Sequence, residues 1–263
     1  MKKNNYVYNE NDIIKSFRRI NLKKNDNLFI TTSLGMLGDL RSTTNVNKVF
    51  FKKIIDLIGS RGTLFVPTYS YSFGKKKNIF NVKKTKSSIG DFGNFVLKQN
   101  NIYRSKDPML SIVGIGPKAK DILRISKNTS YGHGCIFERM LKINLKILNT
   151  GLGPNWIPFI HYLDYLNKVP FRYDKYFRGY IVDINNKKKK ITWHYPVRNF
   201  DEESRANGHI LGKLAEKKKI FTSTNLGRGR IFVASYKRLF KFTKKITFKD
   251  KYLTSYYKLN ELF

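Results

Sequence analysis

The sequence predicts an α/β fold: a central, largely parallel or mixed β-sheet flanked by helices, with an aromatic-rich β-hairpin inserted in the C-terminal half. Three observations carry this. Short buried apolar runs bounded by turn residues alternate with stretches of helical apolar spacing. Several runs end in glycine turns of the kind that join a strand to a helix. Residues 171–197 are aromatic-rich instead and alternate apolar with polar residues about Asn185-Asn186, which is a hairpin pattern.

Taken in order, residues 27–31 (NLFIT) read as a buried strand running into a Ser-Leu-Gly turn. Residues 46–58 have helical spacing until Gly59 and Gly62 stop them. Residues 63–66 (TLFV) form a second strand closed by Pro67, and 89–99 read as a helix. Residues 110–115 are strand-like and end in Gly116-Pro117, a favourable start for a helix over 117–125. Residues 145–149 (LKILN) make another buried strand, followed by Thr150-Gly151-Leu152-Gly153 and a helix carrying His161. After the hairpin come a helix over 210–219, a strand over 231–234 and a short helix over 235–242. With no internal repeat and no long linker, residues 1–263 are expected to form one domain.

Composition narrows the function classes. At 41% hydrophobic and 14% aromatic residues, a 263-residue chain can bury a sizeable core, which excludes disorder for most of it. Lys+Arg number 52 against 18 Asp+Glu, a formal charge of +34, with lysine exceeding arginine 38 to 14. The lysine runs 75–77, 187–190 and 217–219 suit solvated faces or attraction to polyanions. Zinc-finger, RNP-type and basic-zipper patterns are all missing, so no specific nucleic acid is expected, only weak, salt-sensitive binding. The single Cys135 excludes an intramolecular disulfide and a cysteine-based zinc cage. The start lacks an apolar signal core, and no apolar run approaches the ~20 residues of a membrane span. A cytoplasmic protein without a membrane span is expected.

Four histidines are candidates for proton transfer: His133, His161, His194 and His209. His161 and Asp164 stand at i and i+3 of a helix, so imidazole and carboxylate share one face. A carboxylate fixes the tautomer of a histidine and raises its basicity, which suits a general base. The same spacing also suits a histidine packed among Phe159, Tyr162 and Tyr165. Cys135 beside His133 admits a thiolate–imidazole pair, although a lone cysteine is usually a small buried hydrophobe. A Gly-x-Ser-x-Gly elbow and a phosphate-binding Gly-Lys-Ser/Thr loop are missing, and His161 with Asp164 has no evident further metal ligands, so no metal is expected. The turn at 31–35 (TTSLG) follows a strand, where backbone N–H groups and hydroxyls can hold an anion or a carbonyl.

In order along the chain, six segments carry a resemblance: Thr31-Thr32-Ser33-Leu34-Gly35-Met36-Leu37-Gly38; Gly62-Thr63-Leu64-Phe65-Val66-Pro67-Thr68; Arg104-Ser105-Lys106-Asp107-Pro108-Met109-Leu110-Ser111; Tyr131-Gly132-His133-Gly134-Cys135; His161-Tyr162-Leu163-Asp164; and Val169-Pro170-Phe171-Arg172. Together the chain resembles the antibiotic N-acetyltransferase family, whose namesakes are the aminoglycoside 3-N-acetyltransferases. It departs from the family at Thr31, where the family has histidine, at Lys106-Asp107, and at Cys135, which replaces a small hydroxyl residue. Asp164 stands for the family's glutamate, a loss of about 1.5 Å of reach.

The resemblance implies transfer of an acetyl group from acetyl-CoA to a primary amine, commonly on an amino sugar, without a covalent enzyme intermediate. On this reading His161 is the catalytic base, oriented by Asp164. Thr32, Ser33, Leu34, Arg104, Ser105 and Ser111 contact acetyl-CoA, with backbone N–H groups near Ser33-Leu34 steadying the oxyanion and Arg104 or Lys106 attracting its phosphates. Thr68, Asp201, Glu202 and Glu203 serve the acceptor, although the acidic run also suits a solvated helix start. A +34 protein repels polycations at long range. That favours an amino sugar, nucleotide-linked for surface-glycan synthesis, over a cationic drug. A homodimer is an allowed assembly. The alternative is a non-catalytic polyanion or nucleic-acid binder on the same fold.

Overall fold

The computed structural model describes residues 7–41 and 45–257. The chain opens with β1 (Val7–Tyr8), α1 (Glu10–Arg19) and β2 (Asn27–Thr32). A 3-10 turn, Leu34–Leu37, leads to β3 (Asp39–Leu40), α2 (Val46–Ile58) and β4 (Thr63–Pro67). Next come β5 (Ile79–Asn81), α3 (Asp91–Val96), β6 (Ile102–Arg104) and β7 (Ile112–Ile115). The helices α4 (Ala119–Leu123) and α5 (Ile136–Met140) precede β8 (Leu145–Thr150) and α6 (Ile160–Asn167). The hairpin strands β9 (Arg172–Val182) and β10 (Lys188–Arg198) follow, then α7 (His209–Lys217), β11 (Thr222–Leu226), β12 (Gly229–Ser235) and α8 (Tyr236–Lys249).

Seven strands form the central sheet in the order β11-β12-β8-β2-β4-β7-β6. Parallel pairing in this sheet is confined to β8, β2 and β4; the remaining neighbours pair antiparallel, so the sheet is mixed. The parallel trio is buried on both faces, which explains why its strands read as continuous apolar runs. Strand alternation then divides them between two cores. Phe29, Phe65 and Ile147 enter one, while Leu28, Ile30, Leu64, Val66 and Leu148 enter the other. Each such side chain contributes about 1.5–3 kcal/mol on leaving water.

Local chemistry sets the boundaries. The helix expected over 89–99 is shortened to α3, because Gly90 enters it at φ +61° and its last turn tightens after Val96. The helix expected over 235–242 runs on to Lys249, its N-terminus held by Ser235, whose hydroxyl accepts from the Arg238 N–H. The hairpin turns at Asn186, which takes a left-handed φ of +60°. It pairs in register from Lys188↔Val182 to Arg198↔Arg172 and also adds the short parallel strand β5. The helix α1 had a readable signal: Asn9 and Asp12 cap each other's backbone N–H groups.

Candidate active site

Parallel pairing of β8, β2 and β4 brings their C-terminal ends to one edge of the sheet, where ligand sites of α/β proteins form. The loop after β8 needs Gly151, at φ +68°, because a Cβ there would collide with the Ser33 carbonyl. Asn149 braces the same loop: its Nδ2 donates to the carbonyls of Gly153 and Trp156, and its Oδ1 accepts from the Thr31 hydroxyl at 2.7 Å. Thr31, where the family has histidine, is therefore a brace. The loop delivers α6, which carries His161.

The aromatic neighbours of His161 do the packing. Phe159 sits edge-on to Tyr236 and Phe240, and Tyr162 stacks on Tyr131, Phe137 and Phe240. His161 itself keeps 24% of its side-chain surface open and lines a cavity of about 590 Å³. The cavity lies between α6, the hairpin and the loops that carry Tyr71 and Met109. Tyr71 holds a left-handed backbone there, φ +48°, with its N–H on the Met109 carbonyl. Burial raises the Tyr71 and Tyr195 phenols above their ordinary range, so both are neutral donors.

Asp164 is buried; its Oδ2 accepts from Arg172 Nε at 2.7 Å and stands 3.3 Å from His161 Nδ1. Among the described residues its Oδ1 has no hydrogen-bond partner. Arg172 completes the cluster, with Nη2 2.6 Å from His161 Nδ1 and Nη1 on the Pro196 carbonyl. A guanidinium only donates, so Nδ1 accepts here and the ring proton sits on Nε2. Burial lowers the His161 pKa, and the Arg172 charge lowers it further against the pull of Asp164. The imidazole is therefore neutral near neutral pH. Burial opposes the charge of Arg172, but Asp164, with Tyr195 and Tyr131, raises its pKa overall.

The remaining expected residues divide by burial. Thr32 and Ser33 line a second cavity, about 240 Å³, together with Thr31, Gly90, Gly93 and Trp156. Leu34 is buried in a core, and the Ser33 N–H is spent on the Thr150 carbonyl at 2.8 Å, so it is no oxyanion donor. Arg104, Ser105, Ser111 and Thr68, expected at ligands, form a buried knot. Arg104 directs its donors to Ser111 Oγ and the carbonyls of Val82, Thr85 and Thr68 and stacks on Phe80. Ser111 donates to the Thr68 carbonyl, the Thr68 hydroxyl returns to Ser111, and the Ser105 hydroxyl accepts from the Ile112 N–H. None of the four lines either cavity. Lys106 stays exposed near Asp183.

Asp201, Glu202 and Glu203 occupy a turn ahead of α7, not a helix start, and line neither cavity. Asp201 accepts from the Ser204 N–H, and Glu202 pairs with Arg205 at 2.7 Å. Cys135 is buried, which raises its thiol pKa, while exposed His133 leans to Glu138 instead. The thiolate–imidazole alternative is thereby corrected. Among the described residues no group of three or more His, Cys, Asp or Glu side chains could hold a metal ion, and no helix is long and apolar enough to cross a membrane. Sequence reasoning missed the roles of Arg172, Tyr71 and Tyr195. Arg172 alone left a signal, since it closes the Val-Pro-Phe-Arg segment.

Comparison with known proteins fits this geometry. No curated protein matches the sequence. Among solved structures, aminoglycoside acetyltransferase AAC(3)-Xa superposes with a TM-score of 0.79 at 13% identity, over 92% of this chain and 93% of its own. The sisomicin-bound AAC-VIa gives 0.79 at 14% identity, over 92% and 98%. The AAC-IIIb binary complex with CoASH gives 0.76 at 12% identity, over 92% and 97%. At such identities the likeness shows the fold. Residues 29–247 match the family model Antibiotic_NAT, described as aminoglycoside 3-N-acetyltransferase. With most of its length matched, the chain belongs to the aminoglycoside 3-N-acetyltransferase family of acyltransferases.

Proposed function

We propose that this protein transfers an acetyl group from acetyl-CoA to a primary amine of an amino sugar, directly within a ternary complex, with His161 as general base. The observation that carries the reading is a neutral His161 on a cavity wall, held by Asp164 and Arg172, in a chain of this family. The CoASH-bound and sisomicin-bound relatives support the two substrate classes. Both core clusters share one sheet, which supports reading residues 1–263 as one domain. A cytoplasmic location suits a reaction fed by acetyl-CoA.

The second cavity fits the narrow pantetheine arm of acetyl-CoA. It is lined by Thr32, Ser33 and glycines, and a Cβ on Gly93 would come within 2.9 Å of the Pro67 carbonyl. The thioester supplies an activated acyl carbon.

Base action requires the other tautomer of His161. Arg172 must release Nδ1, which takes up the ring proton and turns it to Asp164 Oδ2, leaving the Nε2 lone pair free. Nε2 then takes a proton from the amine as nitrogen bonds to the acyl carbon. As the C–S bond breaks, the imidazolium returns that proton to the leaving sulfur. Tyr71 and Tyr195, as neutral donors, orient the acceptor.

A thiol-release assay with acetyl-CoA and a panel of amino sugars, nucleotide amino sugars and aminoglycosides tests the reading. Acetyl-CoA is also expected to raise the melting temperature in a saturable way at ordinary salt. Stabilisation by nucleic acid alone, weakened steeply by salt, would favour the non-catalytic polyanion binder.

A further inference from the structure

The cavity that holds His161 is cationic. Arg172, Lys175, Arg198 and Arg205 line it, and among the described residues no carboxylate does. Three acids of the adjoining elements are paired with other groups: Asp164 with Arg172, Glu202 with Arg205, and Asp174 with His194. Arg172 is spent on protein acceptors as well. Two cations are left over.

Arg198 is built like an anion receptor. Its Nη1 is tied to the carbonyls of Asn199 and Asp201 and to the buried Ser204 hydroxyl, at 2.8–3.1 Å. Among the described residues Nε and Nη2 have no hydrogen-bond partner, so one edge of a fixed guanidinium is free. That edge matches the bidentate geometry of a phosphate. Lys175 adds an ammonium with no carboxylate partner among the described residues, its position steadied over the Phe177 ring at 5.2 Å. At the rim, Phe200 is 89% exposed and Tyr173 is 41% exposed, two aromatic faces against which a flat ring can stack. A polycationic acceptor would meet repulsion from every uncompensated charge in this wall.

Resting on the acetyltransferase reading, we infer that the acceptor is an amine bearing a phosphate or pyrophosphate, with Arg198 and Lys175 holding the phosphate while His161 addresses the amine. The exposed Phe200 favours a nucleotide-linked amino sugar over a simple sugar phosphate.

Steady-state thiol release with glucosamine, glucosamine 1-phosphate, UDP-glucosamine and kanamycin tests this. The expected kcat/KM rises at least tenfold from glucosamine to glucosamine 1-phosphate, rises again with UDP-glucosamine, and is lowest with kanamycin. Arg198→Gln and Lys175→Gln each reduce the phosphate preference about tenfold through the acceptor KM, with the acetyl-CoA KM unchanged. Lys175 is exposed, so its variant reads the wall even if loss of Arg198 loosens the loop. Phe200→Ser lowers only the UDP-glucosamine rate; an unchanged rate would overturn the nucleotide preference. Equal rates for neutral and phosphorylated amines, or a preference for kanamycin, would overturn the inference. A shift in the acetyl-CoA KM instead would reassign the cations to CoA and overturn it too. Calorimetric binding of UDP-glucosamine to wild type and to Lys175→Gln separates the two readings. Binding that Lys175→Gln weakens, without transfer to any acceptor, would support the anion site and contradict acetyl transfer. Transfer without any such dependence would do the reverse.

Discussion

Asp164 stands at the centre of a three-membered cluster. Its carboxylate reaches Arg172 at 2.7 Å and lies 3.3 Å from His161, while Arg172 takes the Nδ1 position. His161 is therefore held neutral by burial and by a cation. On acidification the ring should take up its proton below the ordinary histidine pKa of about 6.5, so the acid limb of kcat/KM is expected below that pH. Arg172→Gln removes the repelling charge and frees Asp164 to pair with the ring; both changes raise the His161 pKa. The acid limb of this variant should move to higher pH, and a pH–rate profile checks it. An unmoved limb would mean that His161 does not set it. The spacing of His161 and Asp164 was legible because i and i+3 share a helix face. The part of Arg172 was not, since a hairpin strand brings it in from eight residues beyond Asp164. Arg104 misled for the opposite reason: its residue type suits a phosphate, but burial turned every donor inward.

Among the elements, the parallel trio was legible from its unbroken apolar runs, and its glycine turns located the site edge. The antiparallel flanks were not legible, since period and composition do not encode strand direction. The β8–α6 connection makes a demand that can be tested. Gly151→Ala meets both a left-handed φ and the Ser33 carbonyl, so it should destabilise by about 1–3 kcal/mol and lower the melting temperature by several degrees. A neutral effect in thermal unfolding would show that this turn relaxes freely. The loop preceding β7 holds a second test. Asp107 is buried, and despite N–H donors from Met109 and Leu110 burial raises its pKa from 3.8 to about 6. The folded state thus favours its protonated form, a contribution present below pH 3.8 and lost as pH rises through about 6. Relative to wild type, Asp107→Asn should gain about 3 kcal/mol in stability between pH 3.5 and 7. Denaturant melts at the two pH values measure it, and a pH-independent difference would contradict the burial argument.

On the scale of the whole molecule, the +34 charge sets background behaviour, not specificity. Nucleic acid should bind weakly, with affinity falling steeply between about 50 and 200 mM salt, whereas acetyl-CoA protection should persist across that range. Thermal shifts at two salt concentrations separate them; if both fall alike, the CoA effect is only polyanion attraction. The acidic run 201–203 illustrates why net charge alone cannot describe a cavity. The Asp201 and Glu202 carboxylates are engaged by neighbours, and the wall beside them stays positive.

The most direct measurement is thiol release from acetyl-CoA by wild type and by His161→Ala at saturating acceptor, with acetyl-CoA binding followed by calorimetry. The account predicts turnover reduced by 10²–10⁴-fold with acetyl-CoA affinity largely retained. Turnover by His161→Ala at the wild-type rate would contradict it.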